Sequence, residues 1–156
     1  MHLVFVCLGN ICRSPLAEGI ARDLIRQRGW EGWMTVDSAG TSGEHDGEAP
    51  DPGSIAVARR HGLDLGALRS RRLTRADLDH ADLIVAMDRA NHRTILRVGT
   101  FPDERLVLQR RFDGPGSPLD VPDPWARGPE AFHEVWDILH RSMPALLDHA
   151  RDLGAR

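Results

Sequence analysis

Short apolar runs punctuate the chain, separated by longer stretches in which apolar residues recur every three or four positions. The runs at 3–6, 83–86 and 106–108 are too short for helices and predict buried strands, and a fourth strand is expected at the more mixed segment 34–37. The intervening periodicity predicts helices over 15–28, 53–61, 89–98 and 129–152, with a shorter one at 74–79. In the last long helix Phe132, Val135, Trp136, Leu139, Met143, Leu146 and Leu147 form a core-facing stripe, and Pro144 is expected to kink it. Strand and helix in alternation predict an α/β domain spanning 1–156, with a four-stranded parallel sheet, helices on both faces and right-handed crossovers. Ligands in that architecture bind beyond the carboxyl ends of the strands, where strand order reverses.

The first such end carries the sequence Cys7-Leu8-Gly9-Asn10-Ile11-Cys12-Arg13-Ser14-Pro15. Gly9 and Asn10 are the residue types that best tolerate left-handed backbone. Ser14 followed by Pro15 reads as an N-cap and first helical residue, although Ala17 leaves the capping box incomplete, and Gly29 reads as the helix stop. A loop from strand end to helix start turns successive N–H groups inward and adds the positive end of the helix dipole, which suits a tetrahedral dianion. Arg13 can grip two oxygens of such an ion with its planar fork. Cys7, at the loop's beginning, is placed to attack the phosphorus in line, and the same positive surroundings suit a thiolate nucleophile. The phosphate-binding residues are therefore expected to be Leu8, Gly9, Asn10, Ile11, Cys12, Arg13 and Ser14.

Composition narrows the setting. A chain of 156 residues with 41% hydrophobic content can bury a sizeable core, and no Pro/Gly/Ser-rich linker divides it. A formal charge of −3 gives no reason to expect nucleic-acid binding. The first predicted strand begins at once and no apolar run has membrane-spanning length, so a cytoplasmic protein without a membrane partner is expected, monomeric or weakly homo-oligomeric. Two cysteines make no disulfide framework. The eight histidines show no paired ligand spacing, and His133, His140 and His149 decorate the final helix, so neither metal nor cofactor is expected.

The stretch VCLGNICRSPLAE, Val6 to Glu18, resembles the signature of the low-molecular-weight protein tyrosine phosphatases. Further similarities follow in order: Asp37-Ser38-Ala39-Gly40, Pro50-Asp51-Pro52, Ala86-Met87-Asp88 with Asn91, and Pro122-Asp123-Pro124-Trp125. The resemblance implies hydrolysis of phosphotyrosine in protein substrates, and of aryl phosphates, through a phosphocysteine on Cys7. Residue chemistry alone does not separate Asp120 from Asp123 as the proton donor. The family's Asp-Pro-aromatic order selects Asp123, as acid and then base.

The same resemblance implies that Asn10, Ser14 and Ser38 support the loop and that Asp88 braces the site, a role that competes with capping the helix at 89. Trp125 would form one rim of the pocket by stacking on the substrate ring, with Glu44 and His45 opposite, where some relatives carry an aromatic. Cys12 is read either as a small loop residue or as a redox partner of Cys7. The segment 65–74 lacks the histidine that often supports the loop Asn, though Arg71 matches the family's arginine. Ile11 stands where phosphoarginine-directed relatives carry Thr, and favours an apolar ring. The alternatives are a phosphoarginine phosphatase and an arsenate reductase of the same fold, the latter dependent on an external thiol because no cysteine lies beyond the loop.

Overall fold

A computed structural model describes all residues, Met1–Arg156. Strands β1 (His2–Cys7), β2 (Thr35–Gly40), β3 (Leu83–Ala86) and β4 (Leu106–Leu108) form one sheet in the order β2-β1-β3-β4, with every pairing parallel. Helices α1 (Arg13–Gln27), α2 (Pro52–Arg60), α3 (Arg75–His80), α4 (Arg89–Val98) and α5 (Pro129–Gly154) connect and follow them, with two short 3-10 turns beside β4.

The two-residue period of β1 divides the core. Leu3, Phe5 and Cys7 point to the face covered by α1 and α5, whereas Val4 and Val6 point to the face that includes Leu78 of α3 and Ile95 of α4. Both faces are therefore buried, which explains why β1, β3 and β4 read as continuous apolar runs, whereas the edge strand β2 carries Thr35, Asp37 and Ser38. From β1 the chain crosses to β2 on one side and later to β3 on the other, so the carboxyl end of β1 is the switch point. Cys7 is the last residue of that strand and pairs in register with Gly40.

The elements expected from sequence are all present, with one local correction. Helix α1 begins at Arg13, and its N-cap is Cys12, which makes no side-chain cap. Ser14 lies inside the first turn and turns its hydroxyl toward Cys7 and Asn10 instead of capping. Helix α5 runs from Pro129 to Gly154 with Pro144 inside it. At the helix pair α2–α5, a Cβ added to Gly53 would lie 2.5 Å from the Phe132 ring, so only glycine permits that contact. No helix is long and apolar enough to cross a membrane.

Candidate active site

Beyond β1 the chain folds into a cradle whose orientation is fixed by its carbonyls. Those of Cys7 and Leu8 accept from the N–H groups of Thr41 and Ser42 at 2.9 Å each, and that of Ile11 from Asp51 N–H at 2.8 Å. The carbonyls of Gly9 and Cys12 accept from the hydroxyls of Ser70 and Ser54, also at 2.9 Å. With the carbonyls tied to the surroundings, the N–H groups of Leu8, Gly9, Ile11 and Cys12 find no acceptor within the protein. Such a row of amides beside an uncapped helix start, with no acidic residue in the first turn, is suited to an anion. The turn requires Asn10 at φ 55°, a left-handed conformation that Asn tolerates. The loop also passes close to β2: a Cβ on Gly40 would come within 2.9 Å of the Leu8 carbonyl oxygen.

Asn10 is locked from three sides. Its amide nitrogen donates to Ser14 Oγ at 2.8 Å and Ser38 Oγ at 2.9 Å, and its side-chain oxygen accepts from the Arg71 N–H at 3.1 Å. The chain therefore anchors this asparagine without a histidine, using a backbone amide of the 65–74 segment. Ser38 in turn donates to Glu18 Oε1 at 2.6 Å, and Glu18 Oε2 accepts from Arg22. Glu18 is 3% exposed and was missed as a site residue by sequence reasoning. Its signal was present: an acid one helical turn after Ser14, on the buried face of α1. Arg71 is itself clamped by Asp37 and Asp77, at 2.8 and 2.9 Å.

Cys7 Sγ lies 3.0 Å from Ser14 Oγ and accepts from the Asn10 N–H at 3.3 Å. Arg13, 3% exposed, donates through Nη1 to Asp88 Oδ2 at 2.7 Å and to the Val121 carbonyl at 2.9 Å, while Nη2 lies 3.9 Å from Asp123. Its Nε is buried without a partner. Burial alone would lower the Arg13 pKa, but Cys7, the hydrogen bond to Asp88 and Asp123 outweigh it and the net shift is upward. Asp88 combines both expected roles, since its other oxygen caps α4 by accepting from the Asn91 N–H at 2.7 Å. Burial, with the charges of Asp51, Cys7 and Asp123, pushes the Cys12 thiol far up, so this second sulfur stays protonated. Both cysteines are free and buried.

A pocket of about 170 Å³ opens over the cradle. Cys7, Leu8, Gly9, Ile11, Cys12 and Arg13 line it, and Glu44, His45, Asp123 and Trp125 form its rim, together with Ser42, which sequence reasoning did not single out. Asn10, Ser14 and Asp88 bind lining residues and Ser38 binds Asn10, and none of the four belongs to the lining itself. The two candidate carboxylates separate clearly. Asp120 accepts from the backbone and guanidinium of Arg89, which hold its carboxyl below the usual range. Asp123 lies on the pocket and accepts only from the Trp125 N–H, at 3.1 Å. No group of three or more His, Cys, Asp or Glu side chains is arranged to hold a metal ion.

Fold and site together define a doubly wound α/β domain with a thiol at the floor of an anion cradle, placed at the switch point of the sheet. A family model described as low molecular weight phosphotyrosine protein phosphatase matches residues 2–154. The chain is 38% identical over 148 residues to the low molecular weight protein-tyrosine-phosphatase YfkJ of Bacillus subtilis, covering 94% of each chain. It is 36% identical over 160 residues to low molecular weight protein-tyrosine phosphatase A of Mycobacterium tuberculosis, covering 100% of this chain and 95% of the relative. Its structure superimposes on a protein tyrosine phosphatase from Entamoeba histolytica with a TM-score of 0.90, at 32% identity and 97% coverage of each chain. The chain belongs to the low molecular weight phosphotyrosine protein phosphatase family.

Proposed function

We propose that this protein hydrolyses phosphotyrosine in protein substrates through a phosphocysteine on Cys7. The observation that carries this reading is the convergence of the Cys7 sulfur, the buried Arg13 guanidinium and the Asp123 carboxylate on a single pocket lined by unpartnered amides. The phosphate dianion sits on the amides and the Arg13 fork, which is held in place by Asp88 and the Val121 carbonyl. Cys7 sulfur, as thiolate, attacks phosphorus, and the S–P bond forms as the bond to the tyrosyl oxygen breaks. Asp123 gives its proton to the departing phenolate. Water then attacks the phosphocysteine, losing its proton to the same carboxylate, and the S–P bond breaks to release inorganic phosphate. Ser14 Oγ, 3.0 Å from the sulfur, donates to the thiolate that leaves in this second step.

The pocket also carries the choice of substrate. Ile11 lines it with hydrocarbon and Trp125 stands at its rim, both suited to an aryl group rather than to a guanidinium phosphate. The test is phosphate release, with chelator present, from p-nitrophenyl phosphate and from phosphotyrosine, phosphoserine and phosphoarginine peptides. The expected result is turnover of the aryl and phosphotyrosine substrates, with loss of at least about 10⁴-fold in Cys7→Ser. Hydrolysis of phosphoarginine alone, arsenate-dependent consumption of a thiol reductant without aryl phosphatase activity, or an undiminished Cys7→Ser rate would overturn it.

A further inference from the structure

The rim of the Cys7 pocket carries a charge that its floor does not call for. Glu44 lines the pocket and is exposed, and its one hydrogen bond is made by its backbone N–H, to Ser42 Oγ at 3.1 Å. Its carboxylate forms no ion pair, whereas Asp88 is matched by Arg13, Asp120 by Arg89 and Glu18 by Arg22. Arg72 packs its stem beside Gly43, one residue away, and still does not engage Glu44.

A carboxylate without a partner cation at the mouth of a pocket suited to a dianion repels the incoming phosphate and slows its capture. That penalty is offset only when the substrate brings a cation to the same place. The two walls of the mouth thus ask for different things: Trp125, 57% exposed, offers a flat apolar face, and Glu44 offers an unmatched negative charge. Because Glu44 is exposed, its pairing energy is modest and sensitive to salt, which suits discrimination among substrates better than tight binding.

We propose that Glu44 is a specificity-determining residue that selects phosphotyrosine segments carrying an arginine or lysine beside the phosphotyrosine over segments carrying an acid there. The assignment rests on the phosphotyrosine reading of the site. It is tested with phosphotyrosine peptides of one length whose residues on either side of the phosphotyrosine are Arg, Ala or Glu. Each rate is normalised to the same variant's rate on p-nitrophenyl phosphate, which has no flanks.

The expected result is a preference for Arg over Glu flanks of about tenfold in kcat/KM at low salt, carried by KM and shrinking several-fold at about 0.5 M salt. Glu44→Gln should reduce the preference to about threefold or less, and Glu44→Lys should reverse it. Equal rates for Arg and Glu flanks in the parent, or a preference unchanged in Glu44→Lys, would overturn the assignment. If all peptides are hydrolysed without any order by charge, only the role of Glu44 falls. If the parent hydrolyses neither peptides nor aryl phosphate, the phosphotyrosine reading falls with it.

Discussion

The cradle from Cys7 to Ser14 and the rim formed by Glu44, His45 and Trp125 face the same pocket but are built on opposite terms. In the cradle nearly every polar group that does not face the pocket has a partner, and those partners come from β2, α1, α2 and the segment before α3. At the rim Glu44 and Trp125 are exposed and His45 is half-buried, and of the three only His45 has a side-chain hydrogen bond, to Glu48 at 2.8 Å. The difference separates two tasks. Holding a dianion over a sulfur demands donors fixed before the substrate arrives, since reorganising them during reaction would raise the barrier. Choosing among substrates demands only small, adjustable differences in contact energy.

Asp123 tests this division most sharply, because the proposed chemistry depends on it while the fold does not. Its side chain is half exposed and its internal contacts are one hydrogen bond from Trp125 N–H and a long approach to Arg13. Asp123→Asn keeps a hydrogen-bond acceptor and removes the proton. Phosphotyrosine turnover is expected to fall by about 10²-fold, with a smaller loss for p-nitrophenyl phosphate, whose leaving group needs little protonation. The melting temperature should move by no more than about 1 °C. A leaving-group series and a thermal melt check both halves, and equal losses on good and poor leaving groups would remove Asp123 from the acid role.

Asn10 is the opposite case, contributing to chemistry only through the shape it maintains. Asn10→Ala leaves Ser14, Ser38 and the Arg71 N–H without their shared partner and puts alanine in a left-handed turn. Three hydrogen bonds at about 1 kcal/mol each, with a further penalty of about 1–2 kcal/mol for the backbone, give an expected loss of about 4–5 kcal/mol. That corresponds to a fall in melting temperature of roughly 8–20 °C. Turnover should drop by about tenfold through kcat, as the amides of the loop lose their aim. If the variant melts like the parent, the cradle is not over-determined and the contrast with the rim collapses.

How much of this was legible beforehand follows the same line. The sheet and helices declared themselves through period, since buried strands must be apolar on both faces and surface helices on only one. Cys7, Arg13 and Asn10 could be found because a phosphate loop needs those residue types at close sequence spacing. Glu18 escaped because its importance lies in a contact with Ser38, 20 positions away, and an acid in an early helical turn looks like any other. The choice between Asp120 and Asp123 was closed to residue chemistry for a similar reason. Only the folded chain brings Arg89 onto Asp120, and that pairing distinguishes it from Asp123 on the pocket. Ser14 misled in the other direction: Ser-Pro is a sound helix-start signal, but here its hydroxyl is drawn to the sulfur and Asn10, leaving the helix end open for an anion.

The smallest expected effect belongs to Trp125, and it asks whether the rim is a contact surface or a hidden prop of the cradle. The indole is more than half exposed, and the bond that ties this residue to Asp123 is made by its backbone N–H, which alanine retains. Trp125→Ala therefore removes a flat apolar wall and little else. An aromatic contact of about 1 kcal/mol corresponds to a rise of about fivefold in KM for phosphotyrosine peptides. Inhibition by inorganic phosphate is the discriminating measurement, because that ion reaches the amides and Arg13 without touching the rim. Its inhibition constant should stay within about twofold of the parent's. If phosphate binding weakens as much as peptide binding does, the indole is holding the 120–125 loop against Arg13, and the boundary between the two regions lies farther out than the contacts around Asp123 indicate.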